Sequence, residues 1–254
     1  MELNRVDISL ESFAKTSMIA SPREGHLQTL YRMFAFLKEK HNGAMVLDPT
    51  EPDLDLNEFC TEDWSATPYG NCVEEIPLYA PGLRGLGFTN RSFVDSDHAG
   101  DKITRRSRTG FIVYLNSAPI YWYSKKQSTI ETNSFGSEFI AMKQRCEYLR
   151  RLRYKLRMLG IPIDLPSYIF GDNQSVLTNS ALPLSSLKKK SSSIAFHFVR
   201  EGVARGQWLI TYLNTNENPA DMCTKSLPSG EKRNKFISLI LQYLQRFVLL
   251  YWLD

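Results

Sequence analysis

Between residues 87 and 228 short runs rich in β-branched and aromatic residues are interleaved with stretches of helical spacing, and that succession restricts the folds open to this chain. Phe88–Asp97 reads as a strand. Thr109–Asn116 reads as a second, rich in β-branched and aromatic residues, and Asn116-Ser117 turns into a third at Pro119–Ser124. Short connections between them predict an antiparallel meander. An apolar stripe at helical spacing follows, with Phe139, Met142, Cys146, Leu149, Leu152, Leu156 and Leu159, and Gly160-Ile161-Pro162 ends it. The other side of that helix carries Arg145, Arg150, Arg151, Arg153, Lys155 and Arg157. Ser167–Gly171 is then a short strand, Asp172-Asn173 caps the next helix, 187–205 is helical and Gln207–Leu213 is a fifth strand. Asn218 as N-cap and Pro219 at the first position open a last helix. The order predicts an α/β fold, a mixed five-stranded sheet flanked by helices.

The flanks read differently. Residues 21–41 have helical spacing at Leu27, Leu30, Phe34 and Leu37, with Ser21 as N-cap, Pro22 at the first position and Glu24 completing a capping box. The stretch 47–86 is Pro-punctuated without a lasting period and is expected to be irregular. Residues 229–254 are expected to form a helical tail. Its apolar part, Phe236–Leu253, is interrupted by Gln242, Gln245 and Arg246, which favours an amphipathic or buried helix over a membrane span. The divisions are therefore 1–86, 87–228 and 229–254.

A composition of 43% hydrophobic and 23% charged residues is that of a globular protein. The cysteines Cys60, Cys72, Cys146 and Cys223 form no CxxC pair, which argues against a zinc site or disulfide framework and suits a reducing compartment, cytoplasmic or nuclear rather than secreted. A net charge of +4 says little, but its distribution is segregated. From Val46 to Leu83 there is no Lys or Arg, whereas from Lys102 to Ile130 there is no acid. Each run alone reads as a solvated face; together they suggest an electrostatic footprint.

Four acids fall at element boundaries: Asp95 in the first strand, Glu138 in the first turn of the long helix, Asp172 at the end of the fourth strand and Asp221 in the first turn of the last helix. Glu138 and Asp221 could serve only to complement a helix N-terminus, and Asp172 only to cap one. Asp95, amid apolar strand residues, needs a partner. If the four converge, they repel unless a cation neutralises them, and such an all-oxygen site selects Mg²⁺ or Mn²⁺.

The motifs carrying these acids resemble one family in order. Phe93-Val-Asp95-Ser-Asp97-His-Ala-Gly, followed by Arg105-Arg106-Ser-Arg108-Thr-Gly, resembles the opening of the RNase H domain of copia-type retrotransposon polyproteins. Pro119-Ile-Tyr-Trp-Tyr-Ser-Lys125-Lys126-Gln, Ser137-Glu138-Phe-Ile-Ala, Gly171-Asp172-Asn-Gln-Ser-Val, His197-Phe-Val-Arg-Glu and Asn218-Pro-Ala-Asp221-Met-Cys-Thr-Lys follow in that family's sequence. Ser21-Pro-Arg-Glu-Gly-His-Leu resembles the segment joining reverse transcriptase to RNase H, so 1–86 reads as a remnant of the connection region. The family's further Glu two residues before Glu138 is Gly136 here, and a His common in the Lys-rich segment is Ser191. No palm Asp-Asp motif is present, which reads as a polyprotein fragment, a truncated copy or a domesticated remnant, without polymerase activity.

The resemblance implies an RNase H-like fold and a Mg²⁺- or Mn²⁺-dependent endonuclease that cuts the RNA strand of RNA–DNA hybrids with two ions. Asp95, Glu138, Asp172 and Asp221 match the metal-binding carboxylates, with Asp97 as an outer acid or, if the register slips, the ligand itself. His197 matches a residue that could assist protonation or product release, or simply pack. Arg105, Arg106, Arg108, Lys125, Lys126 and Lys188, Lys189, Lys190 are candidates for phosphate contacts, each also readable as a solvated charge. The partners implied are the hybrid and the reverse transcriptase domain, with no membrane. The alternative is an inactive RNase H-like module that only binds nucleic acid or a partner.

Overall fold

The computed structural model describes residues 5–16, 18–59, 61–187 and 192–243. Its centre is a five-stranded sheet of β2 (Asn90–Asp97), β3 (Arg108–Leu115), β4 (Ala118–Lys126), β5 (Ser167–Gly171) and β6 (Trp208–Tyr212), in the order β4-β3-β2-β5-β6. Strands β2, β3 and β4 form the expected antiparallel meander, while β5 and β6 run parallel to β2. The sheet is therefore mixed, and β2 and β5 end side by side at their carboxyl ends, the edge where open α/β sheets hold ligands.

Alternation along the strands separates two cores. Val94, Phe111, Val113, Ile169 and Ile210 face α3 (Ser134–Met158), α4 (Gln174–Ala181) and α5 (Ser193–Ala204). Ile112 and Tyr114 face the other way, against Met222 and Cys223 of α6 (Asp221–Thr224) and Phe236 and Ile237 of α7 (Glu231–Ser238). On α3, Phe139, Met142, Cys146, Leu149 and Leu156 are buried as the stripe predicts, but Leu159 is 69% exposed. Trp208 is fully buried and donates its indole N–H to the Val199 carbonyl at 3.1 Å. A Cβ at Gly202 would overlap the Trp208 ring, so only glycine allows this approach of α5 to β6.

The arginine side of α3 is partly buried. Arg145 is 0% exposed, and Arg153 is 3% exposed. The reason lies in the acidic connector: Glu74 accepts from Arg153 at 2.7 and 2.9 Å and from Arg157 at 2.6 Å. Part of the charge segregation is thus satisfied inside the molecule. The two arginines hold the Glu74 carboxyl down to about 2, against a burial that acts the other way.

No strand from 5–86 enters the central sheet among the described residues. The connector is irregular apart from a 3₁₀ turn at Leu56–Glu58, yet it is not detached. Phe59 packs edge-on against Tyr168 and Phe170 at centroid distances of 4.9 and 5.4 Å, and Thr211 donates to the Glu58 carbonyl at 2.7 Å. Trp64 joins the first core. N-terminal to it, α1 (Ser9–Thr16) lies against α6 and β4, and α2 (Glu24–Glu39) buries none of its residues.

Several expected boundaries move. Helix α2 starts at Glu24, with Arg23 as N-cap; the Arg23 N–H donates to His26 Nδ1 at 3.1 Å, in place of the Ser21–Glu24 box. Asn218 does not cap α6, which begins at Asp221. It braces the approach instead, its amide donating to the Val94 carbonyl at 2.9 Å and accepting from the Ala220 N–H at 3.1 Å. The helical tail is broken: α7 stops at Ser238, and β7 (Leu241–Tyr243) pairs antiparallel with β1 (Gly43–Met45). The rest of that tail, 244–254, lies outside the described residues, and among those described no helix is long and apolar enough to cross a membrane.

Candidate metal centre

Asp95 occupies β2 opposite Gly110 of β3, and its side chain is 0% exposed. Helix α6 presses on this point: a Cβ at Gly110 would meet Thr224 Cγ2 at 2.5 Å and Cys223 Cβ at 2.7 Å. That closeness lets the Thr224 hydroxyl donate to Asp95 Oδ2. Asp172 follows the last residue of β5, and since Val94 is in register with Gly171, it emerges beside Asp95. Asn173, not Asp172, caps α4, accepting from the Val176 N–H at 3.2 Å. Asp172 is left facing the site and accepts from the Thr215 hydroxyl. Glu138 descends from the N-terminal part of α3, where Asn133 caps the helix at the Gly136 N–H, and its carboxylate takes the Ser96 backbone N–H.

One carboxylate oxygen from each of Asp95, Glu138 and Asp172 lies within 4.8 Å of the others. Burial, and then repulsion by neighbouring acids, pushes the Glu138 carboxyl well above its ordinary range. Burial likewise raises Asp95, with Lys225 opposing and Asp221 and Asp172 adding to the shift. Three crowded carboxylates, with oxygen donors only, fit a hard divalent cation, which would relieve that repulsion.

Asp221 is nearby but differently engaged. Its Oδ1 accepts from Lys225 Nζ at 2.7 Å and its Oδ2 from Lys232 Nζ at 2.7 Å, while Lys225 Nζ also reaches Asp95 Oδ1 at 3.1 Å. Asp97 points elsewhere and accepts from the Arg108 backbone N–H. Asp97 shares a face of β2 with Asp95 but lies two residues further past the end of β5, and Asp95 is the one that groups with Glu138 and Asp172. His197, read as assisting the site or simply packing, lies on α5 with its Nδ1 bonded to the Tyr69 hydroxyl of the connector.

The basic candidates divide. Arg105, Arg106 and Lys125 are exposed, whereas Lys126 is paired with Asp101, and Arg108 is half-buried and donates to Ser124 Oγ at 3.2 Å. A cleft of about 440 Å³ runs from Thr224 and Asp97 past Lys102, Arg106 and Arg108. Lys188, Lys189 and Lys190, with Ser191, lie outside the described residues. At Gly136, a Cβ would fall on the Glu131 carboxylate, which takes the space where the family's further Glu would begin.

Residues that sequence reasoning left without a role are Thr215, Thr224, Lys225 and Lys232. The i,i+4 spacing of Asp221 and Lys225 was a readable signal; Thr215 carried none. Arg200 was also passed over: its guanidinium donates to the Asn179, Leu182 and Pro183 carbonyls at 2.9, 2.7 and 2.6 Å and knits α4 to α5.

Comparison with known proteins agrees with the motifs. The chain is 31% identical over 247 residues to the retrovirus-related Pol polyprotein from transposon TNT 1-94 of Nicotiana tabacum, a match covering 86% of this chain and 18% of that protein. It is 26% identical over 254 residues to the Pol polyprotein from transposon RE2 of Arabidopsis thaliana, covering 89% of this chain and 17% of the relative. It thus spans less than a fifth of the length of these relatives. No family model matches. Among solved structures, LC11-RNase H1 in complex with RNA/DNA hybrid overlaps 54% of this chain at 11% identity and a TM-score of 0.43, and the N-terminal RNase H domain of Rv2228c from Mycobacterium tuberculosis does so at 10% and 0.41. Overlaps this low carry no weight for function. The chain belongs to the Pol polyproteins of copia-type retrotransposons.

Proposed function

We propose that this chain is the RNase H-like endonuclease of its polyprotein family and hydrolyses the RNA strand of RNA–DNA hybrids. The observation that carries the proposal is the convergence of Asp95, Glu138 and Asp172 within 4.8 Å at the carboxyl ends of adjacent parallel strands. Membership of a retrotransposon Pol family supports a hybrid as substrate, since reverse transcription produces one.

Asp95, Glu138 and Asp172 would hold a divalent ion, Mg²⁺ or Mn²⁺, which would supply Lewis acidity and an acidified water, the requirements of phosphodiester hydrolysis. The protein's own part is preorganisation. Thr224, Thr215 and the Ser96 N–H each fix one carboxylate, so the oxygens are aimed before metal arrives. Asp221 offers a further carboxylate beside Asp95, across Lys225. The cleft past Lys102, Arg106 and Arg108 suits phosphates of the strand being held, and the polymerase domain would share that grip.

The test is cleavage of a labelled hybrid by the full chain. We expect cleavage with Mg²⁺ or Mn²⁺, leaving 3′-hydroxyl and 5′-phosphate ends, and loss of at least about 100-fold in Asp172→Asn, which keeps the shape and removes one charge. Ca²⁺ is expected to bind with little turnover, since its geometry is loose. A rate unchanged by EDTA or by Asp172→Asn overturns the proposal, and hybrid binding without cleavage favours the inactive module.

A further inference from the structure

The ammonium of Lys225 lies between two buried acids, 3.1 Å from Asp95 Oδ1 and 2.7 Å from Asp221 Oδ1. Asp221 is 1% exposed, and its other oxygen is taken by Lys232 at 2.7 Å. Lys232 is itself steadied by the Thr215 carbonyl at 3.1 Å, and Thr215 also donates to Asp172. The two lysines neutralise one side of the carboxylate cluster. The other side, formed by Asp95, Glu138 and Asp172, includes no lysine within hydrogen-bonding reach of Glu138 or Asp172 among the described residues.

We propose that Lys225 occupies the position between Asp95 and Asp221 that a second divalent ion would need, so that the site loads one ion readily and a second only when Lys225 swings out. This rests on the metal-centre reading above. The physical reason is exclusion of like charge. An ammonium and a divalent ion cannot share the same pair of carboxylate oxygens, because each needs those oxygens and repels the other at contact distance. The first ion would need one oxygen each from Asp95, Glu138 and Asp172, and Lys225 donates to neither Glu138 nor Asp172. Lys225 is 39% exposed and has a long flexible stem, so an outward path exists. It is a positioning residue and touches no substrate. At low divalent concentration it keeps Asp95 and Asp221 neutralised and in place; at higher concentration it yields.

Calorimetric titration of the full chain with Mn²⁺ alone, without nucleic acid, tests this. The parent should bind one ion tightly and a second at least about tenfold more weakly. In Lys225→Gln the second site should tighten by about tenfold or more, with the first changed less than threefold; Lys225→Arg, which keeps the charge, should retain the weak second site. A second-site affinity unchanged in Lys225→Gln, or two equal sites in the parent, overturns the proposal. Should Lys225→Gln not fold, the parent supplies a second readout. Acetylation of Lys225 by an amine-reactive ester, followed by mass spectrometry, should stay slow at Mn²⁺ concentrations that fill the first site and rise at least about fivefold as the second fills. Acetylation independent of Mn²⁺ overturns the inference. Asp172→Asn separates the two readings: it should abolish the tight site, and if it does not, the metal-centre reading fails whatever Lys225 does.

Discussion

At the residue scale, the site depends on groups with no chemistry of their own. Gly110 carries none, yet α6 can deliver Thr224 and Lys225 to Asp95 only because no Cβ stands at 2.5 Å from Thr224. Gly110→Ala should therefore cost about 1–3 kcal/mol by overpacking and also weaken Mn²⁺ binding, measured by thermal melting and calorimetry. A loss of stability with metal affinity intact would show that α6 adjusts independently of the acids. The carboxyls themselves predict a pH dependence. Burial raises Asp95 to about 6 and lifts Glu138 well above its ordinary range, so the metal-free folded state keeps protons that the unfolded chain gives up near pH 4. Their contribution is present in acid and is lost as pH rises through about 6. Metal-free protein should thus melt lower at pH 7 than at pH 5.5, and saturating Mg²⁺ should remove the difference. Asp95 was legible in the sequence because an acid inside a strand demands an explanation. His197 was left open between a site role and packing, because a motif fixes order along the chain and not the contacts of a helix face; its ring is bonded to Tyr69 of the connector.

At the scale of elements, the connector does work that its composition hid. Its acids and prolines announce the absence of regular structure, and that holds, but a segment without a period can still place single residues accurately. Glu74 does so between Arg153 and Arg157, and Phe59 does so between Tyr168 and Phe170. Glu74→Gln should cost about 2–4 kcal/mol in a urea melt at neutral pH, because it leaves two arginines facing a neutral group. The depressed Glu74 carboxyl gives stability that is complete above its unfolded range and fades as pH falls toward about 2, so parent and variant should converge in acid. Phe59→Ala should cost about 3–5 kcal/mol. The strands were legible because short runs rich in β-branched and aromatic residues mark them, as in β3 and β5. The partners of the α3 arginines were not, because Glu74 lies 79 residues from Arg153 and nothing local pairs them.

For the whole molecule, the folded unit around the acids is wider than the run of motifs suggests. Residues 87–228 contain the sheet and the acids, but Phe59 and Trp64 on one side, and Phe236, Ile237 and Leu241 on the other, complete the cores. A piece trimmed to 87–228 should bind a hydrophobic dye and melt at least about 10 °C below the full chain; equal melting would mean that the flanks merely rest on it. The pairing of β1 with β7 has a mechanical meaning as well. Gly43 lies opposite Tyr243 and Met45 opposite Leu241, so residues 43 and 243 stand side by side at one end of this ladder. Tension applied across residues 43 and 243 would peel that ladder open one rung at a time, not slide it in shear, and would give way at low force. Load placed on residues 43 and 243 would be spent on this seam before reaching the parallel strands β2 and β5.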